Sequence, residues 1–215
     1  MKFQEFNKKF TRQAIGDEIS LIESYPEPET RKFVERLPYF DSVAELCCNI
    51  GITSCVLAEK MGSVLGVELN EQRIKWAYEN SKVYNADKKT KFIVGNVLDE
   101  NILKHIKADA VLFDPYWRPF HGTSYNRNAK FVNSIDESTP SIRDVFYKTK
   151  DNITDNIIIR IPRNFTFETL KDLGKCKLEN IYSNTMLRHK IAYFSPEQKQ
   201  NEEVNVNYGA WWSER

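Results

Sequence analysis

The chain has 215 residues, 41% hydrophobic and 28% charged, which suits one α/β domain with a short extension. Its longest apolar runs, such as Ile157 to Ile159, are far too short to span a bilayer, and the segment Met1 to Lys9 lacks the apolar stretch of a secretory signal. No membrane association is therefore expected, and the location is read as intracellular, cytoplasmic or nuclear. With 31 Lys+Arg against 30 Asp+Glu, the net charge of +1 argues against a broad grip on a long duplex and permits a small nucleic-acid footprint.

Residues 1–37 read as an N-terminal helical extension. Phe3, Phe6, Phe10 and Ile15 recur at near-helical spacing, Pro26 and Pro28 break the pattern, and Glu29 to Leu37 reads as a short helix ending at Pro38. Strand and helix then alternate through residues 38–196. Ser42 to Cys48 is strand-like, Ile52 to Met61 helical, and Ser63 to Val67 a strand closing on Glu68. Asn70 is a good N-cap, with Glu71 in the first turn, for a helix to about Tyr84. Lys91 to Val94 is a strand, Leu98 to Ile106 a helix, and Ala110 to Phe113 a strand ending at Asp114.

From Pro115 to about Pro140 the chain is polar and irregular, a length that is usually functional inside a compact domain. Regularity returns with a helix near Ser141 to Tyr147, a strong strand from Asn156 to Ile161, and a helix from Phe167 to Leu173. Lys177 to Ser183 and Met186 to Phe194 read as a hairpin. Residues 197–215 form a polar tail closing on Trp211-Trp212. Alternating βα units imply a parallel sheet covered by helices on both faces. A terminal hairpin adds a reversed strand. The expected fold is Rossmann-like α/β, seven-stranded and mostly parallel with an antiparallel last strand, the variant of the doubly wound fold used by class I methyltransferases.

The run Glu45-Leu-Cys-Cys-Asn-Ile-Gly51 leaves the first strand and enters a helix. An acid, a tight turn and a helix N-terminus there make a cradle for a nucleotide-like ligand. Gly51 alone remains of the usual glycines, and Asn49 can stand in because Asn accepts positive φ. A purely structural strand-to-helix turn would look the same. Glu68, at the end of the second strand, can accept the ribose hydroxyls of an adenosine-bearing cofactor. A dinucleotide enzyme would place an acid similarly. Gly95-Asn96-Val97, after the third strand, is placed to bracket an adenine, with Asn96 able to hydrogen-bond it; Leu69, beside Glu68, and Cys47, in the turn after the first strand, are further cofactor-binding candidates.

Asp114-Pro-Tyr-Trp117 discriminates between these ligands. Amino methyltransferases carry Asn/Asp/Ser-Pro-Pro-aromatic at this location. An exocyclic amine is a poor nucleophile because its lone pair is delocalised into the ring. Hydrogen bonds from the NH₂ to a side-chain acceptor and a backbone carbonyl direct that lone pair at the methyl group. Asp114 would supply one acceptor and the Pro115 carbonyl the other. Trp117 or Tyr116 would stack on the base, worth ~1–3 kcal/mol. After the fifth strand, Arg163 could hold phosphate bidentately, with Asn164 beside it.

Cys47, Cys48, Cys55 and Cys176 form no C-x-x-C pair, and His105, His121 and His189 show no ligand spacing, so no metal is expected.

With these segments in order, the chain resembles the RNA cap guanine-N2 methyltransferases, the trimethylguanosine synthase family, over roughly residues 10–195. The pieces that carry the resemblance are Glu45 to Gly51, Gly66-Val-Glu-Leu-Asn70, the helix Arg73 to Tyr84 and Asp114 to Trp117. Asn152-Ile-Thr-Asp-Asn-Ile, Ile161-Pro-Arg-Asn164 and Lys190-Ile-Ala-Tyr-Phe194 join them. The resemblance implies S-adenosyl-L-methionine as cofactor and RNA as partner, with Glu68 on the cofactor ribose. It also implies Trp117 stacked on a methylated guanine, Arg163 on the cap phosphates, and the N-terminal extension closing the site. Lys8, Lys9 and Arg12 are its candidate phosphate contacts.

Cap enzymes show Ser-Pro-Pro-Trp where this chain has Asp114 and Tyr116, and the stretch from Arg118 to Tyr125 is longer than the family's. Asp moves the motif toward guanine-N2 and adenine-N6 enzymes of tRNA, rRNA or DNA. A non-catalytic subunit of the same fold, binding RNA or a partner, is the alternative from another class. No oligomeric state follows from the sequence.

Overall fold

Strands and helices alternate along the chain as the apolar pattern requires. The structure is a computed structural model that describes residues 9–117 and 130–209. Lys8, the stretch from Arg118 to Tyr125 with His121, and Trp211-Trp212 lie outside the described residues. The described chain divides into two compact units at Asn96/Val97.

The first unit holds α1 (Glu18–Glu23), α2 (Glu27–Arg36), β1 (Ser42–Leu46), α3 (Ile52–Lys60), β2 (Ser63–Glu68), α4 (Glu71–Val83) and β3 (Thr90–Val94). Its strands run in the order β3-β2-β1, all parallel. α3 is buried from Ile52 through Ala58, as an apolar helix covered by other elements must be. Asn70 caps α4 by accepting from the backbone N–H groups of Gln72 at 2.9 Å and Arg73 at 3.2 Å.

The N-terminal segment differs from its expected helix. Residues 10–17 are not helical, because side chains of other elements satisfy their backbone. The Thr11 N–H donates to Glu27 at 2.6 Å and the Ile15 N–H to the Asn80 amide oxygen at 2.7 Å. α2 begins at Glu27 and takes Pro28 into its first turn, where proline's missing N–H costs nothing.

The second unit holds α5 (Glu100–Leu103), β4 (Ala110–Phe113), α6 (Ile142–Asn152), β5 (Ile157–Pro162), α7 (Phe167–Leu170), β6 (Lys177–Ser183), β7 (Met186–Phe194) and β8 (Glu202–Asn207). The strand order is β4-β5-β7-β6-β8. β5 is parallel to β4, and β7 is antiparallel to both β5 and β6. The expected reversed strand is therefore β7.

An eighth strand lies where a polar tail was expected. β8 pairs parallel to β6, its two valines half-buried between exposed Glu and Asn residues. α5 starts later than expected because the Asp99 carboxylate caps it, accepting from the Asn101 N–H at 2.8 Å, and it ends earlier, at Leu103. α6 is longer, because buried Ile142, Val145, Phe146 and Thr149 continue one face past Tyr147. Among the described residues no helix is long and apolar enough to cross a membrane.

Candidate functional site

In the first unit, β1 ends at Leu46 and the chain turns through Cys47, Asn49 and Gly51 with φ of 64°, 51° and 74°. Every second residue is left-handed, the backbone path of a glycine-rich turn built with one glycine. That glycine is required. A Cβ at Gly51 would lie 2.9 Å from both the Ala77 Cβ and a Phe92 ring carbon. Cys47 adopts the same region without being Gly or Asn, at a strain of roughly 1–2 kcal/mol.

The turn is held from two directions. The Asn49 N–H donates to Glu68 Oε2 at 3.1 Å, and its Nδ2 donates to the Ser20 carbonyl at 2.9 Å and Ser24 Oγ at 3.1 Å. Glu68 Oε1 accepts from the Asn70 N–H at 3.1 Å. Each carboxylate oxygen has two lone pairs, so these two bonds leave Glu68 acceptor capacity. Leu69 is 69% exposed, Asn96 is exposed, and the Gly95 N–H bonds the Glu68 carbonyl at 3.0 Å, tying the end of β3 to β2. Asn49, Gly51, Glu68, Leu69 and Asn96 thus gather at the carboxyl ends of β1, β2 and β3, the edge where such sheets bind nucleotides. These groups fit S-adenosylmethionine: a close-approach turn, a strand-end carboxylate and an exposed apolar side chain.

Two expected residues are placed otherwise. Glu45 is buried and turned to α3, where it accepts from the Ser54 hydroxyl. Lys9, expected on phosphate, is also buried. Its ammonium donates to the carbonyls of Leu21 at 2.7 Å and Ile22 at 2.6 Å, so it serves the end of α1 instead.

In the second unit, the β4–β5 register pairs Phe113 with Ile159, so one step further Asp114 stands beside Arg160. Arg160 is fully buried, and its Nη1 donates to Asp114 Oδ2 at 3.0 Å. Burial pushes the Asp114 carboxyl up; the charge and hydrogen bond of Arg160 pull it down, and burial prevails. The Asp114 side chain still exposes 23% of its surface. Pro115 is buried, and Tyr116 exchanges backbone hydrogen bonds with Thr139.

Trp117 is half-buried. Its indole N–H donates to the Arg160 carbonyl at 3.2 Å, and its ring stacks at 26° on that of His189, centroids 6.1 Å apart. Burial, then the charges of Arg160 and Arg188, hold His189 well below the usual imidazole value, so it is neutral at pH 7. Arg163 is exposed, its guanidinium 5.8 Å from the centre of the Phe131 ring. Val97 is buried. The Asn164 amide, expected on substrate, donates to the Val132 carbonyl at 2.9 Å and Asn133 Oδ1 at 3.1 Å, so it fastens the chain there.

Sequence reasoning missed Arg160 and His189. The signal for Arg160 was present as a lone charge in the apolar run Ile157 to Pro162, which needs a buried partner. Among the described residues no group of His, Cys, Asp and Glu could hold a metal ion.

A model of the RNA cap guanine-N2 methyltransferase family matches residues 41–197. The chain belongs to that family. Membership makes S-adenosylmethionine its cofactor. A protein of Methanocaldococcus jannaschii, assigned as a ribosomal RNA large-subunit methyltransferase, is 35% identical over 91 residues, 40% of this chain and 23% of the relative. This chain thus spans about a quarter or less of the length of the curated relatives it matches. Solved structures show the fold. A protein of Porphyromonas gingivalis W83 assigned as a methyltransferase superposes with TM-score 0.70 at 12% identity, covering 94% of this chain and 52% of that one. The S-adenosylmethionine-dependent methyltransferase of Agrobacterium tumefaciens gives 0.54 at 14% identity, covering 81% and 63%.

Proposed function

We propose that this family member transfers a methyl group to the exocyclic N2 amine of guanine in RNA, with the 7-methylguanosine cap as substrate. The observation that carries the reading is the Asp114–Trp117 pair. A strand-end carboxylate, held by a buried guanidinium, is followed three residues later by an indole fixed through its N–H. S-adenosylmethionine supplies a methyl carbon on a sulfonium, which needs no Lewis acid to react with an amine. Glu68, Asn49, Gly51, Leu69 and Asn96 hold the cofactor. Asp114 and the Pro115 carbonyl accept hydrogen bonds from the two amine N–H groups, and Trp117, with Tyr116 beside it, sets the plane of the base. Arg163 binds phosphate.

Asp114 in place of the family's serine, together with the archaeal relative assigned to ribosomal RNA, supports a second reading: guanine-N2 or adenine-N6 methylation of tRNA or rRNA.

The test is nucleoside mass spectrometry of 7-methylguanosine-capped and uncapped RNA after reaction with wild type, Asp114→Ala and Trp117→Ala. Loss of one preorganised acceptor in Asp114→Ala is expected to cost about 10²–10³ in rate with cofactor affinity retained. Trp117→Ala is expected to weaken capped RNA more than uncapped, because a cationic 7-methylguanine gains extra attraction over an indole. Equal losses on the two RNAs would remove the cap substrate and leave amino methylation standing. Full activity in Asp114→Ala would remove the mechanism.

A further inference from the structure

Arg160 is the one charged residue of β5, a strand buried along its whole length. A guanidinium so placed is strongly destabilising unless it is paired and hydrogen-bonded. Its two ends serve two different residues of one motif. The side chain donates to the Asp114 carboxylate at 3.0 Å, while its own backbone carbonyl accepts the Trp117 indole N–H at 3.2 Å. The backbone that carries both is clamped: β5 pairs with β4 on one side and β7 on the other, with Arg160 opposite Ile191. His189, opposite Pro162 two residues along, supplies the ring against Trp117.

We propose that Arg160 is a positioning residue for the acceptor base, its guanidinium fixing the Asp114 carboxylate and its carbonyl fixing the plane of Trp117. The proposal rests on the amino-methylation reading above. With Oδ2 engaged by Arg160, Oδ1 is the oxygen offered to an amine N–H. The arrangement also selects for amino-bearing bases, because an ionised carboxylate accepts hydrogen bonds and donates none. A keto edge finds only repulsion there.

Arg160 further opposes the effect of burial on Asp114, so its loss raises the pH at which Asp114 becomes ionised. Arg160, from β5, is the charged group acting on Asp114. From β7, His189 is neutral and lies within the fields of Arg160 and Arg188.

The experiment compares wild type with Arg160→Met, Arg160→Gln and Arg160→Lys. kcat and KM are measured from pH 5 to 9 on an RNA that wild type methylates, and the Asp114 carboxyl is titrated by ¹³C NMR in each protein. In Arg160→Met the carbonyl that holds Trp117 remains, so KM is expected to stay within about threefold while kcat falls roughly 10–100-fold. The Asp114 titration and the acid limb of kcat should both move up, by about one pH unit or more. Arg160→Lys should recover part of kcat and return the titration toward wild type. In an Asp114→Asn background, Arg160→Met should cost little further, since the two residues act as one unit.

Arg160→Gln, which keeps a donor without the charge, carries the same reading if the methionine variant does not fold. Wild-type kcat in a folded Arg160→Met or Arg160→Gln protein, an unmoved Asp114 titration, or full additivity with Asp114→Asn would overturn the proposal. A wild type that methylates no RNA, but whose Asp114 titration still responds to Arg160, would overturn the amino-methylation reading instead.

Discussion

Glu68 accepts backbone N–H groups from two segments, Asn49 in the turn after β1 and Asn70 at the cap of α4, and is proposed to accept the cofactor's ribose hydroxyls as well. Glu68→Ala is therefore expected to weaken S-adenosylmethionine binding by about 1.5–3 kcal/mol, as for a charged hydrogen-bond acceptor. Titration calorimetry measures the loss, and thermal melting of the cofactor-free protein separates it from loosening of the turn. Unchanged affinity would take Glu68 out of the site. The placement of Glu68 and Asp114 at strand ends was legible in the sequence because strand ends are legible, and the carboxyl end of a parallel strand is where ligands are expected to meet the chain. Lys9 and Asn164 were not. Nothing in a sequence tells which distant carbonyl a long or amide side chain will find, and both are occupied by backbone that only the folded chain brings near.

At the scale of elements, Glu27 and Asn80 together anchor the segment before β1. Glu27 has no exposed side-chain surface and accepts from the Thr11 N–H at 2.6 Å, the Thr11 hydroxyl, the Tyr84 hydroxyl at 2.8 Å and Arg31. Burial pushes its carboxyl up, but the hydrogen bonds from Thr11, Tyr84 and Arg31 together outweigh it, so its pKa lies below the ordinary glutamate value. The resulting stabilisation is complete above the unfolded value of about 4.3 and is lost as pH falls through the lower folded value. Glu27→Gln is expected to cost about 2–3 kcal/mol near pH 7, and less as the pH drops from 5 to 3. Urea unfolding at pH 7, 5, 4 and 3 checks this; a cost that stays constant across the series would contradict it. The same segment marks a limit of pattern reading. The run Phe3, Phe6, Phe10 and Ile15 reads as near-helical, yet bonds to Glu27 and Asn80 draw the backbone of Thr11 and Ile15 into an irregular path. β8 escaped for the opposite reason, since Val204 and Val206 are too few to register as an alternation.

For the whole molecule, the alternation of strands and helices along the chain, the reversed strand of the hairpin and the family could be read from the sequence, because each βα unit repeats one apolar rhythm and the motifs fall at its strand ends. Charge is the remaining property that belongs to the chain as a whole, and it decides how RNA binding should respond to salt. With 31 basic and 30 acidic side chains there is no basic excess to neutralise a long run of phosphates. Arg163 is the exposed candidate beside the acceptor residues, and Lys9, once a candidate, is committed inside the fold. A footprint of about four phosphates on single-stranded RNA gives a slope of log K against log salt near −3, so affinity should fall roughly 60-fold between 50 and 200 mM salt. Arg163→Ala should make that slope shallower by about 0.7 and weaken RNA binding, as expected of a phosphate contact that reads no base. Fluorescence anisotropy with a short capped oligonucleotide across that salt range measures both quantities. A slope steeper than about −6 would mean that the chain grips roughly twice as many phosphates, and that binding rests on a basic surface rather than on the aromatic and carboxylate groups around Trp117 and Asp114.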